Sequence, residues 1–292
     1  MRVKAIIVTF NPTANVVNLI DNLKKQDVTP IIVDNGSINF DFKIIENDLD
    51  CYLIRFHENF GIATAQNKGI EKALELGTDY ILFFDQDSTI SDSFVSDILN
   101  DYLFLLKKNI KIGALGPRFI DERNKFYYKT IGISKYGLRT KYDVSNISEP
   151  FHSSLLISSG SLVSVDTLKD VGLMRDKYFI DYVDTEWCIR AESKGYKNYM
   201  SDKAIMYHNI GDNIKQNKWF KMPVHSSFRR YYIIRNSFYM LKEPYIPKIF
   251  VLHQMIINII HQFIIIYTAK GNRFNYLKNF FRGVKDGLKY LL

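Results

Sequence analysis

Over the first hundred residues, short apolar runs rich in β-branched side chains alternate with stretches whose apolar positions recur every three or four residues. That alternation marks βαβ units around a largely parallel sheet. Strands are predicted near 4–9, 30–34, 51–56 and 79–84. Asn11 and Pro12 should open the helix after the first strand, and Gly77 should close a helix running from about 62. From about 110 to 210 the pattern is mixed, with strand-like pieces at 126–134, 153–158 and 203–208 and a helix starting near Asp184. After 226 the chain turns helical, aromatic and basic. One α/β domain is therefore expected over 1–226, with halves at about 1–110 and 111–226, followed by a helical segment over 227–292.

The apolar share of 47% over 292 residues suffices for a substantial core. A formal charge of +8 suits phosphate-bearing partners: nucleic acid, anionic lipid or a diphosphate substrate. Two cysteines, Cys51 and Cys188, are too few for a disulfide framework and lack metal-cluster spacing, so both are expected as thiols in a reducing cytosol. The N-terminus enters an apolar strand at once, without the features of a signal peptide.

Three of the predicted strands end in polar residues: Thr9-Phe10-Asn11, Asp34-Asn35-Gly36-Ser37 and Asp85-Gln86-Asp87. The carboxyl ends of parallel strands share one rim, so these clusters should converge on one crevice. Asp85 and Asp87 flank a single residue after an apolar strand, a pattern that can hold Mg²⁺ or Mn²⁺ against phosphates, or can be a solvated turn. Asp34 can accept hydrogen bonds from a ribose or base, and Asp-Asn-Gly-Ser is equally strong turn chemistry. Between Asn59 and Gly69, small residues at a helix start invite either close ligand approach or tight packing. Asp184 stands at a predicted helix N-terminus among Asp181, Glu186 and Trp187; the dipole there favours an ionised base, or the residue is simply a cap. His208 ends another strand-like run as a ligand or a structural histidine. Arg229, Arg230 and Arg235, interleaved with tyrosines, suit either a diphosphate or a basic helix face.

Taken in order, Val8-Thr9-Phe10-Asn11, Val33-Asp34-Asn35-Gly36-Ser37, the Asn59-to-Gly69 segment, Asp85-Gln86-Asp87, Asp184 and Tyr231-Tyr232-x-x-Arg235-Asn236 resemble the family 2 glycosyltransferases of GT-A fold, specifically their bacterial rhamnosyltransferase branch. The resemblance implies a Rossmann-like, mixed, mostly parallel sheet flanked by helices, with a nucleotide-binding half, an acceptor half and C-terminal amphipathic helices. It implies that Thr9, Asn11, Asp34, Asn35, Gly61, Asn67 and Asp85 meet the nucleotide, and that Asp85, Asp87 and His208 hold Mg²⁺ or Mn²⁺. Asp184 would be the catalytic base, and Arg229, Arg230 and Arg235 would meet the diphosphate. Gly160, Ser161, Asp181, Glu186 and Trp187 would lie by the sugar or acceptor. Val183 stands where the family often has glutamate before the base, so support for Asp184 is expected from Asp181 or Glu186. The Gln-x-x-Arg-Trp signature of processive synthases is absent, which implies addition of one sugar or a short, defined number.

The implied reaction is inverting transfer from a nucleotide sugar, dTDP-L-rhamnose, to a lipid-linked oligosaccharide in cell-surface polysaccharide synthesis, by a cytoplasmic enzyme peripheral at the inner face of the plasma membrane. A UDP-sugar donor, nucleotidyl transfer and non-catalytic polyanion binding are the rivals, and nucleic acid is not expected as a partner. Between Lys248 and Lys270 run 21 residues without formal charge. His253, Gln254, Asn258, His261 and Gln262 share one half of that helix at ~100° per residue. This favours a helix lying in a membrane interface over a spanning one, backed by a basic face of Lys278, Arg282, Lys285 and Lys289. Packing of the apolar side on the catalytic domain, or on a second subunit in a homodimer, is the alternative.

Overall fold

The first strand, β1 (Val3–Thr9), is buried on both faces, as its unbroken Ile-Ile-Val run requires between two helical layers. The computed structural model describes the chain apart from residues 48, 49, 122–125, 208–213, 218, 219, 224 and 270, and the side chains of 208–224. After β1 come α1 (Asn15–Lys25), β2 (Thr29–Asp34), α2 (Lys43–Glu46), β3 (Tyr52–Arg55), α3 (Ile62–Glu75), β4 (Tyr80–Asp85), β5 (Thr89–Ile90), α4 (Phe94–Lys107) and β6 (Ile112–Ile120). Next are β7 (Thr130–Ile133), β8 (Arg139–Tyr142), β9 (Phe151–His152), β10 (Leu162–Ser164), α5 (Val165–Val171), α6 (Val183–Ser193) and β11 (Lys197–Tyr207). The remainder is β12 (Ile214–Asn217), β13 (Phe220–Pro223), α7 (Ser227–Lys242), α8 (Lys248–Thr268) and α9 (Arg273–Leu291).

The main sheet runs β3-β2-β1-β4-β10-β6-β11-β5, with β9 paired to β11. Pairings among β1 to β4 and between β6 and β11 are parallel, while β10, β5 and β9 enter antiparallel. This is the mixed, mostly parallel sheet that was expected. Helix α1 buries Val16, Leu19, Ile20 and Leu23, the three-and-four spacing of one helical stripe. In α3 the small residues serve packing: a Cβ on Gly69 would stand 2.5 Å from Ile6 Cγ2.

Three expectations change. The first helix begins at Asn15, not at Asn11, which adopts φ 49° and uses its side chain to accept from the amides of Ile38 and Asn39. Strand β6 carries Gly113, Gly116 and Pro117, punctuation that hides it from pattern reading. Residues 153–158 form no continuous strand: Leu155 makes a single bridge to Ile131, and the Ser153 and Ser154 amides donate to the Asn198 and Ile131 carbonyls.

The chain divides into two compact units: residues 1–132, 141–179 and 183–208, and residues 133–140, 180–182 and 209–292. The first holds the sheet. The second is built on α7, against which α9 packs through Gly283 and Gly287; a Cβ on Gly287 would lie 2.4 Å from Phe238 Cδ2. In α8 the polarity is turned inward. Asn258 and Gln262 are buried, while Ile249, Leu252, Ile256, Ile260, Phe263 and Tyr267 are exposed. Of its apolar residues, Phe250, Val251 and Ile265 are buried with them. The reason for the inward polarity is Arg230 of α7, buried, which donates from Nε to Gln262 Oε1 (2.8 Å) and from a terminal nitrogen to the Asn258 carbonyl (2.6 Å).

Candidate active site

Strand register settles the rim. Thr9 pairs with Asp34 and Val8 with Asp85, so the ends of β2, β1 and β4 lie side by side. Asp34, fully buried, accepts from Thr9 Oγ1 (3.2 Å) and from both the amide (3.1 Å) and the hydroxyl of Ser37. Arg55 Nε lies 3.9 Å from the same carboxylate. Asn35 accepts from the Phe60 amide (2.8 Å) and donates to Asn59 Oδ1 (3.0 Å), which in turn accepts from the Gly61 amide (2.9 Å). Gly61 sits at φ 88°, and a Cβ there would collide with Phe179 at 2.6 Å. The turn chemistry read in Asp-Asn-Gly-Ser is thus present, and it fixes the floor of the rim.

Gln86 was not singled out from sequence. It accepts from the Phe10 amide (2.7 Å) and donates to the Phe10 carbonyl (3.3 Å), extending the β1–β4 ladder into the loops and setting Asp85 and Asp87 on either side. Asp85 is half-buried and Asp87 exposed. Ser159 Oγ accepts from the Asp85 amide (3.2 Å) and bonds Ser88 Oγ (2.8 Å), tying the Ser158-Ser159-Gly160-Ser161 loop to the strand end. Gly160 holds φ 75° with its amide on the Phe83 carbonyl (2.6 Å), and a Cβ there would meet Met206 Sδ at 2.3 Å. No side chain could replace it without moving the loop.

A small, almost wholly apolar cleft opens in the same unit, lined by Phe83, Leu156, Val163, Met174, Trp187 and Cys188, with Ser158, Ser161 and Asp184 among the bordering residues. Asp184 is half-buried in the first turn of α6, where its Oδ1 accepts from the Thr185 amide at 2.7 Å. An anion suits that helix end. Burial pushes the Cys188 thiol up, far from a thiolate, so it contributes shape and not nucleophilicity.

The sequence profile described as glycosyl transferase family 2 matches residues 4–172. A dTDP-rhamnosyl transferase, RfbF of Shigella flexneri, is 39% identical over 287 residues, covering 98% of this chain and 95% of that protein. The chain belongs to glycosyl transferase family 2. Among solved structures, S. aureus TarS (residues 1–349) is similar at TM-score 0.57 and 15% identity, covering 100% of this chain and 83% of that one. Its complex with UDP-GlcNAc gives TM-score 0.59 at 14% identity, with 98% and 81% covered. GalNAc-T7 with UDP, GalNAc and Mn²⁺ gives TM-score 0.59 at 12% identity, with 93% and 58% covered. Those likenesses place the fold among the GT-A glycosyltransferases. Family membership makes the protein a glycosyltransferase and sets aside both nucleotidyl transfer and non-catalytic polyanion binding.

For a divalent cation, this family 2 enzyme offers the hard carboxylate oxygens of Asp85 and Asp87, the donor type that suits Mg²⁺ or Mn²⁺ alongside phosphate and water. Among the described residues, no three His, Cys, Asp or Glu side chains gather into a metal-holding group. His208 lies outside the described residues. The donor set fits in kind.

Several expected contacts prove to be framework. Asn67 is buried, donating to the Met174 carbonyl and Asp176 Oδ1 (2.8 Å each) and accepting from the Met174 amide, so it latches α3 instead of facing a nucleotide. Glu186 is fully buried between Arg190 (2.8 Å) and Arg175 (3.2 Å), and so neither meets an acceptor nor serves as an open support for Asp184. Trp187 does line the cleft, with its indole N–H on the Gly172 carbonyl (2.8 Å).

In the second unit, Asp181 accepts from Arg229 through both oxygens (2.7 and 3.3 Å). Arg230 is locked to α8, and burial lowers its basicity. Arg235 directs its guanidinium to Asn236 Oδ1 (3.0 and 2.8 Å) and across the rings of Tyr232 (4.6 Å) and Tyr239 (4.7 Å). Asn236 itself is a residue whose individual role the sequence concealed. Its buried amide nitrogen donates to the carbonyls of Ile180 and Asp181, both at 2.9 Å. Those carbonyls belong to a corner in which Phe179, Asp181 and Tyr182 all take positive φ, 62°, 63° and 64°. The chain leaves that corner directly into α6 and Asp184.

Proposed function

We propose that the protein transfers L-rhamnose from dTDP-L-rhamnose, with inversion, to a lipid-linked oligosaccharide during synthesis of a bacterial surface polysaccharide. The observation that carries this reading is the 39% identity, over nearly the whole chain, to a dTDP-rhamnosyl transferase. The apolar lining beside Asp184 supports it, because rhamnose is a 6-deoxy sugar and presents a methyl group where ordinary hexoses present a hydroxyl. With a soluble donor and an acceptor anchored in lipid, the reaction would run at the cytoplasmic face of the plasma membrane.

Asp184, as the base, removes the proton of the acceptor hydroxyl, and that oxygen attacks the anomeric carbon from the face opposite the diphosphate. The bond from the anomeric carbon to the diphosphate oxygen breaks as the new bond forms; the proton stays on Asp184 and dTDP departs. A single displacement of this kind inverts the anomeric centre and needs no covalent enzyme intermediate. The rim whose buried floor Thr9, Asp34 and Asn35 fix, with Asn11 at its edge, orients the nucleoside, and the Gly160-Ser161 turn admits the sugar. A cation held by Asp85 and Asp87 would neutralise charge developing on the diphosphate.

The test is nucleoside diphosphate release from a donor panel, with and without a chelator, using membrane-extracted glycolipid as acceptor. dTDP release from dTDP-L-rhamnose, abolished by chelation, is expected. UDP release from a UDP-hexose or UDP-galactofuranose, with dTDP-rhamnose left intact, would overturn the donor assignment.

A further inference from the structure

The inverted polarity of α8 leaves its largest apolar stripe outside. Ile249, Leu252, Ile256, Ile260, Phe263 and Tyr267, all more than half exposed, fall on one side when turned at ~100° per residue. On α9, Phe274, Leu277, Phe281 and Leu288 form a second exposed stripe. The two adjoin where Phe263 lies 6.4 Å from Phe280, itself 5.4 Å from Phe281. A contiguous exposed apolar surface of this kind marks an interaction site.

Charge selects the partner. Lys278, Arg282, Lys285 and Lys289 are exposed and recur along the edge of the α9 stripe, with Asp286 beside Arg282 (3.9 Å) as the acidic neighbour on that helix. An apolar stripe bordered by a row of cations is the composition that enters the headgroup boundary of an anionic bilayer. A two-fold dimer through the same face would instead gather two such rows around one interface, where they repel. Spanning is disfavoured by the inner side of α8. Detaching that helix would strip the buried Arg230 of Gln262 and Asn258, and would strip Gln262 of its bond to the Tyr276 carbonyl (2.9 Å).

We propose that the outward stripes of α8 and α9 form a docking surface for anionic lipid, on which the protein lies without crossing the bilayer. The inference stands on this surface alone and does not depend on which sugar is transferred.

The experiment is vesicle co-sedimentation of the full chain, using phosphatidylcholine alone and phosphatidylcholine with phosphatidylglycerol. Three proteins are compared: wild type, Ile256→Glu/Phe263→Glu, and Lys278→Glu/Lys285→Glu, with dTDP release and light scattering measured on each. Wild type should pellet with the anionic vesicles and be released by salt. Loss of each cation should weaken binding about fivefold, so the lysine pair should lose more than about tenfold. The apolar pair should remain in the supernatant. Both variants should keep donor turnover, which separates failure of docking from failure of the catalytic reading. Wild type in the supernatant with both vesicles, equal binding to both, or a dimer that only the apolar pair dissolves would each overturn the proposal.

Discussion

Replacing Asn236 with alanine removes a clamp and leaves every rim residue in place. The side chain is fully buried and its nitrogen satisfies two carbonyls of the 180–182 corner at 2.9 Å. A carbonyl left without a donor costs about 1–3 kcal/mol when fully buried; these two are only part-buried and keep some access to water, so the pair should destabilise the protein by about 2–4 kcal/mol. Against that clamp stands the strain of the corner, about 1–3 kcal/mol for each non-glycine residue held at positive φ, with the bulky Phe179 and Tyr182 the costlier members. Summed over three residues the strain is at least as large as the clamp, so losing the amide should let the corner relax. The Arg229–Asp181 pair and the bond from Asn258 to the Tyr182 hydroxyl (2.7 Å) resist full collapse. Asp184 follows Tyr182 by two residues, and a displacement of about 1 Å in a reacting group costs about a hundredfold in rate. Steady-state dTDP release should therefore show kcat reduced by about that factor with KM for the donor unchanged, while urea titration reports the stability loss. Wild-type kcat in a variant destabilised as expected would refute the link from corner to base, and loss of donor affinity in step with kcat would show general disorder instead.

Glu186→Gln should cost about 3–5 kcal/mol in chemical denaturation, because it leaves the buried Arg190 guanidinium without its anion. A change within experimental scatter would mean that the pair is dispensable. Burial, with a smaller push from Arg230, lowers His261 below its ordinary 6.5. The folded state therefore favours the neutral ring: this contribution is complete above pH 6.5 and is lost as pH falls through that value toward the folded one. His261→Gln should flatten the acid side of the stability profile, and an unchanged slope would contradict this. Alkylation should spare Cys188 in the native protein and reach it only after unfolding, since burial holds the thiol protonated.

The nucleotide-side strands were legible because each is a short β-branched run that ends in polar residues, so register alone brought Thr9, Asp34 and Asp85 together. Strand β6 was not, because Gly113 there makes room for a neighbour: a Cβ would stand 2.5 Å from the Asn198 carboxamide oxygen, 85 positions along the chain. Charged residues misled for a related reason. Arg230 and Glu186 look like ligands for substrate in a linear reading, yet their partners are internal, and Gln262 lies 32 residues beyond Arg230. The role of Asn236 depends on carbonyls 56 and 55 residues earlier, which no local pattern encodes. The heptad-like polarity of α8 was readable, but which side faces inward depended on the buried guanidinium across from it.

The central claim is that the carboxylate opening α6, at the edge of an apolar cleft, accepts the acceptor's proton. The direct measurement is dTDP formation from dTDP-L-rhamnose by Asp184→Asn, with donor affinity determined calorimetrically on the same sample. Donor binding at the wild-type level with turnover reduced by about 10²–10⁴ is the predicted result; turnover at the wild-type rate would contradict the account.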